Sequence, residues 1–244
     1  MTTRELHFCR ADLLGDDNEG LPPESIVPDL NLNPLDVRDA LTIDHYIGVL
    51  AQRRRSSFVN CWYLSTEPTA AMWQEYGEQG VAIASRYCLL KATLDSGKDR
   101  GLLGLVRYGV SHLKGRSFNV LRFISTKREE FAHEKEVRAL LWFPDECGGD
   151  TWHFDEKNIP HRRPLTEAPA SLPKFKRLPV DLGCLITEIQ LSPWASDATF
   201  AEVNRMATVT NLAVPIRWSD LAQHKNLIGT QKDLLELLRV RSAK

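Results

Sequence analysis

The chain has 244 residues, of which 43% are hydrophobic and 26% charged, a composition typical of an ordinary folded protein of one or two domains. Its formal net charge of -1 gives no general electrostatic reason to bind nucleic acid or a membrane surface. No apolar run approaches the roughly 20 residues that span a bilayer, and the amino terminus lacks the apolar core of a signal peptide, so we expect a cytoplasmic protein.

The first half of the chain alternates strand patterns with amphipathic helix patterns. Branched and aromatic residues favour strands, and apolar residues recurring every three to four positions favour helices. We predict strands over residues 5–10, 57–64 and 81–85, and helices over 36–53, from Ser65 or Thr66 to Tyr76, and over 87–94. Trp73 and Tyr76 are expected to pack against the sheet. Residues 21–35 are rich in proline and asparagine and are expected to be irregular or a lid. The three arginines at 53–55 complement the end of the first helix, with a nucleic-acid patch as the less favoured interpretation.

The second half predicts a similar mixture. The expected elements are a strand over 102–110, a strand or helix over 118–124, a helix from Ser125 or Thr126, a strand from Glu136, an irregular excursion or hairpin over about 144–177, a strand over 185–191, a helix capped by Asp197, an edge strand over 214–216 and a last helix over 231–240. Phe131 is expected to anchor the middle helix to the core. We therefore predict one α+β domain over residues 1–244, with a mixed or antiparallel sheet core and flanking helices.

The cysteines are five in number and widely spaced, without a C-x-x-C pair. They stand at Cys9, Cys61, Cys88, Cys147 and Cys184. This spacing favours reduced, mostly buried thiols over a zinc site or a disulfide framework.

Arg10 lies at the predicted end of the first strand, before an acidic loop that glycines close. An arginine in this place can bind an anion while Asp12 orients the guanidinium. The alternative is a surface ion pair between Arg10 and Asp12 or Glu19.

Two carboxylates stand two residues apart at Glu134 and Glu136, before an apolar strand pattern. If Glu134 is extended, both side chains face one cleft and Arg138 follows on the same side, while Val137 and Ala139 face the core. If Glu134 belongs to the preceding helical turn, the two carboxylates diverge. Crowded carboxylates raise one pKa, and a nearby arginine keeps the other ionised. The pattern suits an acid/base or cation-stabilising site, and the alternative is a solvated salt bridge at a strand start.

Several blocks of sequence, in order along most of the chain, carry a family resemblance. They are residues 8–12 with Asp16, 19–20, 59–62, 71–76, 80–83, 127–128 with Phe131 and Glu134, 136–139, 180–182 and 189–193. Together these blocks resemble the bacterial domain-of-unknown-function 2971 family, whose name records no activity.

A second resemblance supplies chemistry. Arg10, then Leu64-Ser65-Thr66, then Glu134-Lys135-Glu136 resemble the ordered motifs of ADP-ribosyltransferases of the arginine–serine–glutamate class. The resemblance implies an ADP-ribosyltransferase-like fold and NAD as substrate. It implies that Glu136 stabilises the ribosyl oxocarbenium ion and that Glu134 activates the acceptor nucleophile.

The same resemblance implies a cofactor-binding site. Its expected residues are Arg10, Asp12, Trp62, Ser65, Thr66, Tyr76 and Arg138. Arg10 would hold the pyrophosphate of NAD through paired hydrogen bonds. Ser65 or Thr66 would position the nicotinamide ribose, with Trp62 or Tyr63 stacking nearby.

The chain departs from this pattern where Glu67 stands in place of the last serine and a proline follows. The expected function is cleavage of the nicotinamide–ribose bond and modification of an unknown acceptor macromolecule, in a toxin or phage-defence role, with nucleic acid open as a partner and no metal required. Two alternatives stay open. One is a metal-dependent phosphodiesterase using Asp12, Asp16, Asp17 or Glu19 with the two glutamates. The other is a non-catalytic ligand-sensing or interaction module.

Overall fold

A computed structural model of the protein describes residues 4–16, 19–20, 35–67, 69–97, 101–109, 120–143, 152–154, 160–162 and 172–222. The strands in these ranges are β1 Glu5–Arg10, β2 Ser57–Tyr63, β3 Val81–Ala84, β4 Leu102–Leu105, β5 Arg107–Tyr108, β6 Thr126–Lys127, β7 Glu136–Trp142, β8 Trp152–Phe154, β9 Pro160–Arg162, β10 Phe175–Pro179, β11 Glu188–Leu191 and β12 Ile216–Trp218. The α-helices are α1 Val37–Arg55, α2 Ala70–Tyr76, α3 Tyr87–Ser96, α4 Val120–Ile124, α5 Leu182–Leu185 and α6 Asp197–Val209. Two 3₁₀ helices, Ala11–Leu13 and Glu129–Glu134, complete the described elements.

The elements group into two compact units. The larger unit comprises Glu5–Leu64 and Leu94–Pro179 and contains a five-stranded antiparallel sheet in the order β10-β1-β2-β7-β4. The smaller unit comprises Met1–Arg4, Ser65–Thr93 and Val180–Lys244 and contains a three-stranded sheet in the order β12-β11-β3. The predicted α+β class is confirmed.

The two faces of the five-stranded sheet carry different side chains. Residues that pair directly across antiparallel strands share a face, and the face alternates along each strand. Val59 and Leu140 are such partners, and they belong to a core that also includes residues of α1 and α4. This core consists of Ala11, Leu50, Val59, Phe123, Ile124 and Leu140, and its face is called the helix-covered face. Phe58 and Leu141 are partners on the second face and are also fully buried.

Most of the strands and helices predicted from the sequence are present with shifted ends. Residues 118–124, for which the sequence allows strand or helix, contain α4. Ser125 and Thr126 do not begin a helix, because β6 follows at once and a 3₁₀ helix comes after it. The expected hairpin in the excursion is present as antiparallel β8 and β9, and the sheet resumes with β10 before the predicted end.

The predicted helix caps are the wrong residues. The Thr69 side chain, rather than Ser65 or Thr66, caps α2 by accepting a hydrogen bond from the backbone of Met72. Ser196, rather than Asp197, caps α6. The expectation that Tyr76 packs against the sheet is also wrong.

Trp73 is buried at 7% exposure, as predicted, whereas Tyr76 is 62% exposed and does not pack in the core. The prediction of mostly buried cysteines is wrong for those described, since Cys61, Cys88 and Cys184 are exposed and Cys9 is half-buried, all as free thiols. Cys147, the predicted helix over 231–240 and nearly all of the predicted lid lie outside the described residues. Within the described ranges, no helix is both long enough and apolar enough to cross a membrane.

Candidate functional site

Glu134 and Glu136 meet at one cation in the larger unit. The Lys127 Nζ lies 2.5 Å from Oε2 of Glu134 and 3.1 Å from Oε2 of Glu136. Both carboxylates are buried, with Glu136 only 6% exposed. We call these three residues, together with Arg138 and Glu19, the carboxylate cluster.

The backbone between the two glutamates explains how they converge. Glu134 ends a 3₁₀ helix, which on sequence grounds should have turned it away from Glu136. Lys135 between them is left-handed, with φ of 41°, and this reversal brings both side chains to the same ammonium. The Lys135 carbonyl accepts a hydrogen bond of 2.9 Å from the backbone N–H of Leu64, which follows β2. A non-glycine residue in this conformation costs roughly 1–2 kcal/mol, so the surrounding bonds must hold it there.

Arg138 binds two carboxylates of the cluster, Glu136 and Glu19. Its Nε and Nη2 donate to the two oxygens of Glu136 at 2.7 and 3.0 Å, and Nη2 also donates to Glu19. Its Nη1 donates to the carbonyl of Ile124 in α4 at 2.5 Å. The side chain is 2% exposed, so this set of partners is what makes burial of a guanidinium tolerable. The predicted placement of Arg138 beside Glu136 is therefore observed, in a more buried setting than a solvated salt bridge.

Burial is the largest influence on the pKa values of Glu136, Lys127 and Arg138. Burial raises the pKa of Glu136, and the hydrogen bond from Cys61 and the charge of Lys127 offset part of that rise. Burial alone would lower the pKa of Lys127, but its bonds to the two glutamates outweigh this and raise it. Burial lowers the pKa of Arg138, while its two carboxylate partners favour the charged guanidinium.

Two further side chains touch Glu136. The Tyr108 hydroxyl accepts a hydrogen bond of 2.7 Å from the backbone N–H of Glu136, and burial raises the pKa of this phenol. Part of Cys61 is exposed, yet its thiol lies against Glu136, and burial of the sulfur followed by the charge of that carboxylate raises the thiol pKa. A thiol held protonated in this way is a poor nucleophile, so Cys61 acts here as a hydrogen-bond donor.

Arg10 does not join this site. Arg10 pairs with Phe58, and Phe58 pairs with Leu141, so Arg10 lies on the second face of the sheet, whereas Glu136 lies on the helix-covered face. The Arg10 guanidinium instead contacts Asp12 at 2.6 and 3.2 Å and the carbonyls of Leu172 and Pro173. The prediction that Arg10 and Glu136 converge on one cleft is wrong, because chain order does not specify which face of a sheet a strand residue occupies.

The remaining predicted cofactor residues are also dispersed. Trp62 pairs with Val137 and so faces away from Glu136, donating to the side chain of Asn60, whereas Tyr63 is the direct partner of Glu136. Ser65, Thr66 and Tyr76 belong to the smaller unit and are all exposed. There, the Ser65 hydroxyl donates to the Glu67 carbonyl at 2.8 Å.

Acidic residues of the predicted metal site contact cations instead. Asp16 lies 3.2 Å from Arg128, and Glu19 contacts Arg138. Within the described ranges, no group of three or more His, Cys, Asp or Glu residues is placed to hold a metal ion. The described residues thus give the phosphodiesterase hypothesis no support, and Asp17 lies outside them.

The residues of the candidate site that sequence reasoning left out are Lys127, Tyr108 and Cys61. Lys127 belongs to the same block of the family resemblance as Glu134, which was the available indication that the two belong together. Tyr108 reaches Glu136 from 28 positions away, and nothing in its local sequence indicates this contact.

Comparison with known proteins leaves the family open. No protein-family model, curated protein or solved structure matches the chain. Both family resemblances therefore stay predictions.

Proposed function

We propose that the chain is an ADP-ribosyltransferase-like enzyme that cleaves the nicotinamide–ribose bond of NAD and transfers ADP-ribose to an acceptor. The observation that carries the proposal is the convergence of Glu134 and Glu136 at the start of β7. It is supported by the order of the sheet, in which β2 and β7 are neighbours. The serine–threonine motif follows β2 and the Glu-x-Glu motif leads into β7, whereas the placement of Arg10 on the opposite face counts against the arginine motif.

Glu136 would stabilise the positive charge that develops on the ribose as nicotinamide leaves. An ionised carboxylate favours this transition state over bound NAD, since the anomeric carbon gains charge only as the bond breaks. Glu134 would accept the proton of the attacking nucleophile.

Lys127 would have to move during this reaction. Both oxygens of Glu136 bind Arg138, and one of them also contacts Lys127. A ribose can approach this carboxylate only if the lysine ammonium withdraws from it. Lys127 would then stay paired with Glu134, its closer partner.

Arg10 is left out of the proposed mechanism. Its guanidinium is engaged by Asp12 and two carbonyls, on the face opposite Glu136. The pyrophosphate of NAD therefore needs another cation.

The test is release of nicotinamide from NAD by the wild type, Glu136→Gln and Glu134→Gln, with Glu130→Gln as the matched control. Glu136→Gln should slow release by roughly 10²-fold or more, because the charge is lost while the shape is kept. Glu134→Gln should spare hydrolysis and impair transfer. Glu130 is an exposed carboxylate in the same 3₁₀ helix, and its replacement should leave the rate unchanged.

Circular dichroism of each variant controls for folding. Equal rates in wild type and Glu136→Gln would refute the proposed role. So would the absence of nicotinamide release together with the absence of NAD binding in calorimetry.

A ligand-sensing or interaction module is the second candidate. It is favoured by one observation, that the charges of the cluster are buried and mutually paired, as in a structural network. Calorimetric binding of NAD or another nucleotide, without any product in the nicotinamide assay, would select this candidate.

A further inference from the structure

A groove of about 380 Å³ lies in the larger unit, beside the paired strands β5 and β6. It is lined by Leu105, Arg107, Leu121, Arg122, Ser125 and Thr126. These residues come from the end of β4, from β5, from α4 and from the start of β6. Its size is within the range of pockets that hold small molecules, roughly 300–1,000 Å³.

The two arginines of this groove differ from most others in the structure. Arg10, Arg128, Arg138, Arg177, Arg205 and Arg217 each lie within 4.0 Å of a carboxylate. Neither Arg107 nor Arg122 has a side-chain partner among the residues that the structure describes. Both guanidinium groups border the same groove, so an anion bound there could pair with both.

The other side chains suit a ligand with both a charged and an apolar part. The Ser125 hydroxyl has no hydrogen bond to another described residue, so it is available to a ligand oxygen. Leu105 is 57% exposed and Leu121 is half-buried, which gives the groove an apolar wall. Arginine is the side chain that pairs best with phosphate oxygens, through two parallel hydrogen bonds.

Backbone hydrogen bonds fix the positions of these groups. The Arg107 N–H donates to the Ser125 carbonyl at 2.9 Å. The Thr126 hydroxyl donates to the Arg122 carbonyl at 2.8 Å. The main chain that carries Arg107, Arg122 and Ser125 is thus connected before any ligand arrives, which lowers the entropic cost of binding.

We propose that this groove binds the phosphate groups of a small, partly apolar ligand of the nucleotide type, with Arg107 and Arg122 on the phosphates. Ser125 donates to a phosphate oxygen, and the leucines contact the apolar part. The inference does not rest on the proposed NAD-cleaving function, because it concerns binding and uses none of the carboxylate cluster.

The test is isothermal titration of the full chain with ADP, inorganic pyrophosphate and adenosine. ADP should bind, more weakly as sodium chloride is added, because exposed charges are screened. Arg107→Gln and Arg122→Gln should each weaken ADP binding by about tenfold or more, as expected for loss of a charge-assisted hydrogen bond. Arg86→Gln is the matched control, since Arg86 is an exposed arginine of the smaller unit, and it should bind ADP like the wild type.

Comparing the three ligands distinguishes the contribution of the phosphate groups to the affinity from that of the apolar contacts. Tighter binding of ADP than of pyrophosphate supports a role for the apolar wall, and adenosine should bind much more weakly than either. The inference is overturned if neither ADP nor pyrophosphate binds the wild type, or if both bind the Arg107→Gln, Arg122→Gln double variant unchanged. Because Arg107 is exposed and unpaired within the described structure, its variant should melt like the wild type, and melting curves provide the fold control.

Discussion

The carboxylate cluster and the groove both include residues of the short strands β5 and β6. The cations of the cluster are paired with carboxylates, whereas the cations of the groove have no carboxylate partner among the described residues. Tyr108 and Lys127 are register partners in β5 and β6, and both serve the cluster. Arg107 and Thr126 are the adjacent partners, and both line the groove. Because side chains alternate along a strand, Lys127 and Arg107 point to different sides. Lys127 is largely buried and needs its carboxylate partners, whereas Arg107 is exposed and available to a ligand. The paired charges of the cluster stabilise the fold, and the arginines of the groove, unpaired within the described ranges, are available to bind a ligand.

The largest expected difference between the two regions is in stability. Arg138→Met leaves Glu19 and Glu136 as buried carboxylates without their shared partner, which should lower the free energy of unfolding by roughly 3–5 kcal/mol. Arg107→Met removes an exposed cation and should change it by no more than about 0.5 kcal/mol. Urea titrations of both variants measure these values. Similar losses in the two variants would break the comparison.

A smaller difference should appear in the pH dependence of stability. The pKa of Glu136 is raised above its ordinary value of 4.5 in the folded state, so folding favours the protonated carboxyl. The contribution of Glu136 to the free energy of unfolding is therefore fully present below its pKa in the unfolded chain, and it is lost as pH rises through its pKa in the folded protein. Each tenfold difference in proton affinity between the two states is worth about 1.4 kcal/mol. The stability of wild type relative to Glu136→Gln should fall as pH rises from 4.5.

The matched measurement uses the groove. The stability of wild type relative to Arg107→Met should stay flat over the same pH window, because Arg107 contacts no carboxylate among the residues that the structure describes. A wild-type advantage over Glu136→Gln that grew with pH would show that pairing with Lys127 and Arg138 outweighs burial.

The smallest expected effect concerns the backbone that assembles the cluster. Lys135→Gly should stabilise the protein by about 0.5–1 kcal/mol, because glycine adopts the positive φ without strain but loses more freedom on folding. Lys135→Ala keeps the strain and serves as the control, with little change expected. Thermal melting of the two variants distinguishes them. A glycine variant less stable than the alanine variant would mean that the left-handed turn is not strained.

The fold was largely predictable because its strongest patterns are local. β2 and β7 are rich in branched, aromatic and aliphatic residues, and the apolar residues of α1 recur at helical spacing. Caps were harder to place because neighbouring residues are equally suitable. Ser196 and Asp197 are both good caps, and only the tertiary setting selects the first.

The site was predictable only where its residues are close in sequence. Glu136 and Arg138 share a face because they are two apart in a strand, and this part of the prediction agrees with the structure. The face of Arg10 depends on how β1 pairs with β2, which local sequence does not specify. Glu19 reaches Arg138 across 119 positions, and the groove joins residues of separate elements without any motif.

The burial of β7 on both faces has a consequence for how the sheet pairs. Six of its seven residues are buried, so moving the strand by one position against β2 would still place apolar side chains on either side. Apolar patterning thus discriminates poorly between the correct alignment and its neighbours. The charged residues discriminate well, since a shift would carry Glu136 and Arg138 into the layer of Phe58 and Leu141, away from Lys127, Glu19 and the Ile124 carbonyl. The ionic residues at the start of β7 therefore penalise misaligned pairings of β7 with β2.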